Sequence, residues 1–91
     1  VVAQASAQGV AVVPHGCGVY GYYMAMAFDN INLAEFMIMS EKGDAIEPNF
    51  GTVFTNEPLP EQGYITLPDT LGFGLELNRD ALNLVRPYDQ R

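Results

Sequence analysis

The 91-residue chain is short of four things, and each shortage narrows what it can be. It has one cysteine, so no internal disulfide framework is available, and a reducing, cytoplasmic setting is the simpler reading. Lys and Arg number only 4 against 11 Asp and Glu, a net charge of −7. An acidic surface repels phosphate backbones and anionic lipid, which argues against nucleic-acid and membrane partners. No apolar run approaches the roughly 18–20 residues that span a bilayer. No basic leader with an apolar core appears, so no signal peptide is expected, and Val1-Val2-Ala3 is not an obvious natural start. There is also a single histidine. With one His, one Cys and scattered acids, no metal-ligand spacing can be read from the chain.

What is present divides into two halves. Residues 1–8 are rich in Ala and Gln and run into Gly9, which predicts a helix closed by a glycine. Residues 10–13 (VAVV) are a β-branched run without polar alternation, the pattern of a strand covered on both faces. Pro14-His15-Gly16-Cys17-Gly18 breaks that run. Residues 19–28 (VYGYYMAMAF) predict a helix that is apolar nearly all round and needs cover on several sides. Residues 31–36 (INLAEF) read as a second buried strand. From Glu41 onward Pro and Gly recur every few residues. Short strands are expected over 64–67 and 75–77, with a last helix over 79–85, capped by Asn78 or Asp80 and stopped by Pro87.

His15 and Glu35 follow the two predicted strands. Parallel strands would bring both side chains to one carboxyl-terminal edge, where α/β folds do their chemistry. An imidazole with an ordinary pKa of about 6.5 suits proton transfer near neutrality. The plainer reading of His15 is a ring satisfied by a carbonyl in a packed turn. Glu35 lies among Leu33, Ala34, Phe36 and Met37, so its carboxyl needs a partner or must stay protonated. Its plainer reading is a buried pair with an arginine elsewhere. Cys17 beside His15 could be a nucleophile, but the sequence offers no orienting third group.

Gly16-Cys17-Gly18-Val19-Tyr20-Gly21 also fits G-x-G-x-x-G, with Glu35 in the position of the ribose-binding acid. That would make the first half a βαβ nucleotide-binding unit of an NAD-dependent oxidoreductase. Pro14 and His15 crowd the approach that a pyrophosphate needs, and Phe36 with the residues after it gives a greasy ribose edge.

Three stretches carry a more specific likeness: VVPHGCGVYGYYMAMAFDNINLAEFMIMS, EPNFGTVFTNEPLPEQGYITLPDTLGFGLELN and LNLVRPY. Together they resemble the carboxyl-terminal part of the sugar-acid dehydratases in the mandelate-racemase-like branch of the enolase superfamily. The resemblance runs over almost the whole chain.

It implies an α/β fold: the last two β/α units of a modified TIM barrel over residues 1–56, the strand over 10–13 being the seventh and that over 31–34 the eighth. Residues 57–91 would form a carboxyl-terminal strap returning to an amino-terminal α+β capping domain that is absent here. It implies that His15 is the base and acid of an α-proton abstraction, and that Glu35 binds substrate and steadies the enediolate. The substrate would be L-rhamnonate or a similar aldonate, giving a 2-keto-3-deoxy acid. The cofactor would be Mg²⁺ on ligands upstream of this chain, in a homo-oligomer. By itself the chain would be inert. A noncatalytic relative, with the helix over 19–28 as a subunit contact, is the remaining alternative.

Overall fold

The computed structural model describes residues 1–16 and 18–82, and three helices and a set of tight turns organise those residues. Helix α1 spans Val2–Ala7, α2 spans Val19–Ala27 and α3 spans Arg79–Leu82. α1 ends at Ala7 with Gln8 as its C-cap, and the expected glycine, Gly9, follows it directly. The Gly9 N–H donates to the Ser6 carbonyl at 3.0 Å and the Val10 N–H to the Ala5 carbonyl at 2.9 Å. That pair of bonds needs a left-handed residue between them, and Gly9 has φ +67°. At α3, of the two capping residues expected, Asn78 does the capping: its Oδ1 accepts the Ala81 N–H at 3.4 Å. The continuation expected to residue 85, and the stop at Pro87, lie outside the described residues.

The four predicted strands require correction. Among the described residues none is assembled as a strand; two isolated bridges occur, Phe54 with Leu77 and Glu61 with Tyr64. Residues 10–13 meet the residue just before 31–36, the Val12 N–H donating to the Asn30 carbonyl at 2.9 Å. Asn30 adds its side-chain amide to the carbonyls of Val2 and Val10. One ladder bond does not make a sheet, because parallel strands are stabilised by neighbours on both edges and cover on both faces. The expected burial fails for the same reason: Val10, Val13 and Leu33 are exposed, Leu33 at 68 %.

The core that does exist sits where α2 crosses between these two segments. Val19, Tyr22 and Ile31 are its buried members. The second half clasps α2. Phe73 packs edge-on against Tyr20 at 4.6 Å and Tyr23 at 5.8 Å, and the Tyr23 hydroxyl donates to the Phe73 carbonyl. Residues 75–77 pair antiparallel with 53–55 through the Thr55 N–H to the Glu76 carbonyl and the Asn78 N–H to the Val53 carbonyl. Pro60, Gly63, Tyr64, Ile65 and Leu67 face α2 and residues 31–36 across a groove of about 600 Å³. No helix among the described residues is long and apolar enough to cross a membrane.

Candidate active site

The extended run over residues 10–13 delivers His15 to the mouth of a turn, and the run over 31–34 delivers Glu35 beside it. Twenty residues apart in sequence, the two side chains meet. His15 Nδ1 lies 2.9 Å from Glu35 Oε1 and 3.0 Å from Oε2. The Gly16 backbone N–H donates to the same Oε1 at 3.2 Å. The partner that Glu35 requires is therefore His15 and the adjoining amide, and no arginine pairs with it among the described residues. His15 is not tucked into a packed turn either: its side chain is 86 % exposed, while that of Glu35 is 34 % exposed.

Electrostatics follow from contact. The hydrogen bond to Glu35, reinforced by that carboxylate's charge, holds the His15 pKa above its ordinary 6.5. The hydrogen bond from His15, with the one from Gly16, holds the Glu35 carboxyl below its ordinary 4.5. Glu35 is thus an ionised partner in this arrangement and not a neutral donor. A carboxylate only accepts, so Nδ1 carries the proton that faces it. In the neutral ring the Nε2 lone pair is then free to accept another proton.

The turn itself is shaped for these contacts. Gly18, φ +104°, precedes α2 as its N-cap, and the ring of Phe50 lies directly over it: a Cβ on Gly18 would stand 3.0 Å from Phe50 Cε2. The dinucleotide reading of the three glycines fails on this geometry. The Gly16 amide is taken by Glu35, and the Phe50 ring occupies the side from which a pyrophosphate would reach the helix N-terminus. Cys17 lies outside the described residues. The Gly16 amide was not singled out as a site group by sequence reasoning, and nothing local announces it, since a backbone donor leaves no mark in residue identity. Among the described residues no three His, Cys, Asp or Glu side chains gather as a metal site.

Comparison with known proteins bears on the family and the fold. The family model of the enolase C-terminal domain-like proteins matches residues 1–81. A protein of Caldivirga maquilingensis, provisionally named L-rhamnonate dehydratase, is 41 % identical over 88 residues, which is 97 % of this chain and 22 % of the relative. The crystal structure of L-rhamnonate dehydratase from Gibberella zeae superposes with a TM-score of 0.88 at 37 % identity, covering 98 % of this chain and 23 % of that one. The chain thus spans under a quarter of the length of these relatives. Its fold is the closing β/α part of a TIM-type barrel, which explains strands that find few partners here. On sequence and structure alike, the chain belongs to the enolase C-terminal domain-like family.

Proposed function

We propose that the intact protein containing this chain is a Mg²⁺-dependent sugar-acid dehydratase acting on L-rhamnonate or a similar aldonate, and that these residues supply its base. The observation that carries the reading is the His15–Glu35 pair, 2.9 Å apart, on an imidazole whose side chain is 86 % exposed. His15 Nε2 takes the proton from the carbon next to the substrate carboxylate, and the bonding pair moves into an enediolate. The imidazolium then protonates the hydroxyl on the next carbon, which leaves as water. The enol so formed tautomerises to a 2-keto-3-deoxy acid. Each step conserves its protons, and His15 ends as it began.

Glu35 fixes the ring tautomer and, with lone pairs left over, accepts a hydrogen bond from a substrate hydroxyl. Imidazole alone is too weak a base for such a carbon acid. General acid–base help supplies roughly 10²–10⁴-fold, so charge stabilisation must provide the rest. In this superfamily Mg²⁺ supplies it. Among the described residues no group of side chains forms a site for the ion, and we place its ligands in the portion of the intact protein that precedes this chain. Residues 57–91 act as the strap that joins the barrel to the capping domain. We place the intact protein in the cytoplasm as a homo-oligomer; gel filtration checks the second point.

The decisive experiment is deuterium exchange at the α-carbon. His15→Ala in the intact protein is expected to reduce exchange of L-rhamnonate in D₂O by at least about 10²-fold, with an unchanged melting temperature. Exchange at the parent rate in that variant would remove His15 from the base role.

A further inference from the structure

Glu57 is an acid both of whose carboxylate oxygens accept from backbone. Its Oε1 accepts the Asn49 N–H at 2.8 Å and its Oε2 the Phe50 N–H at 3.1 Å, and the group is half-buried. The turn at 48–53 satisfies others of its amides internally: the Gly51 N–H donates to the Pro48 carbonyl and the Val53 N–H to the Phe50 carbonyl. The two amides of Asn49 and Phe50 go instead to Glu57. Successive N–H groups converging on one anion form a short, charge-assisted clamp.

That clamp sets where Phe50 points. Its ring rests on Gly18 and meets Phe54 edge-on at 5.7 Å and 88°. Gly18 closes the turn that begins at His15, and Gly16 of the same turn donates to Glu35. Contacts therefore run from Glu57 through Phe50 to Gly18, which lies two positions along the backbone from Gly16, the donor to Glu35. We infer that Glu57 is a positioning residue for that pair, holding the His15 turn in place through the Phe50 ring. The inference rests on the function proposed above for His15 and goes beyond it, since Glu57 touches neither His15 nor Glu35.

A carboxylate is needed here for a stated reason. Two donors call for two acceptor oxygens; a glutamine of equal shape offers one oxygen and turns its own N–H₂ toward the second donor. Glu57→Gln in the intact protein is therefore the informative change, with Glu57→Asp keeping both oxygens and Glu41→Gln, an exposed acid, as charge control. Two readouts are taken: α-proton exchange of L-rhamnonate in D₂O with Mg²⁺ against pH, and the His15 ring titration by NMR, assigned by loss of its signal in His15→Asn. Glu35 is the one charged side chain placed against His15 among the described residues, so a loosened turn weakens that contact alone.

Glu57→Gln is expected to lower kcat by roughly 10- to 100-fold, the scale of a misplacement near 1 Å, with KM little changed. It is also expected to move the His15 titration down toward 6.5. Glu57→Asp is expected to lie between. A Glu57→Gln protein whose profile and titration overlay those of Glu41→Gln overturns the inference. If Glu57→Gln does not fold, Phe50→Leu, which keeps an apolar side chain but removes the ring over Gly18, is read in the same way. Loss of exchange in His15→Ala with an unmoved Glu57→Gln would sink the positioning role alone. Retained exchange in His15→Ala would sink the proposed function, and the NMR titration still decides whether Glu57 governs the pair.

Discussion

In the role proposed for it, His15 must begin neutral to accept a proton from carbon, and its contact with Glu35 works against that. The carboxylate raises the His15 pKa above 6.5, so the neutral ring dominates only at higher pH. In the intact protein the rising limb of kcat/KM is expected above pH 6.5, and Glu35→Gln is expected to bring it down toward that value while lowering turnover, since the tautomer loses its anchor. A limb that stays in place in Glu35→Gln, followed from pH 5 to 9, would separate the pair functionally. The sign for stability is equally definite. A raised His pKa gives a contribution present below 6.5 and lost as pH climbs through the raised value. A lowered Glu pKa gives one present above 4.5 and lost as pH falls through the lowered value. The pair is whole between those limits. Both residues could be picked from the sequence, because a lone His and a carboxyl in apolar company each follow a β-branched or apolar run. The amide of Gly16 and the double acceptance by Glu57 could not, since their meaning lies in which backbone donors arrive nearby.

Helices were more legible than strands, and the reason is locality. α1 and α2 close their hydrogen bonds within themselves, so the Ala-rich run before Gly9 and the run at Val19–Ala27 were readable with ends off by one residue or so. A strand is a relation between distant segments. The apolar runs at 10–13 and 31–36 were recognised as partners for a sheet, but the sheet needs neighbours this chain lacks. Residues 75–77 did find an antiparallel partner, at 53–55, which the pattern of prolines and glycines gave no means to choose. The residue after the C-cap of α1 offers a clean energetic test. Gly9 has φ +67° and nothing within 4 Å of where a Cβ would stand, so Gly9→Ala meets backbone strain and no steric clash. A cost of about 1 kcal/mol is expected in the intact protein, and less for Gly9→Asn, whose side chain tolerates the left-handed region. Denaturant midpoints measure both. Equal costs for the two residues would mean that something besides the dihedral angle matters there.

For the whole molecule the telling quantity is surface. The chain exposes 7340 Å², whereas a folded monomer of its mass exposes about 5,200 Å². Its radius of gyration is 15.9 Å, against about 12 Å for a compact domain of this length. Roughly 2,100 Å² is thus left uncovered beyond the usual share, and it includes Leu33 and Leu71, exposed at 68 % and 98 %. If a little over half of that area is apolar, at about 25 cal/mol per Å² the burial forgone is roughly 30 kcal/mol. Net stabilities of natural domains are only about 5–15 kcal/mol. The deficit exceeds the whole margin, and the side chains buried among the described residues, Val19, Tyr22 and Ile31, are too few to offset it. The 91 residues produced alone are therefore expected to show poor solubility, weak near-ultraviolet dichroism and no cooperative calorimetric transition, whereas the intact protein melts as a unit. The His15–Glu35 geometry would then be a property conferred by the complete barrel. A sharp, reversible transition from a monomeric 91-residue chain in a calorimeter would show that the surplus surface is tolerated, and would make the pair a self-supporting device.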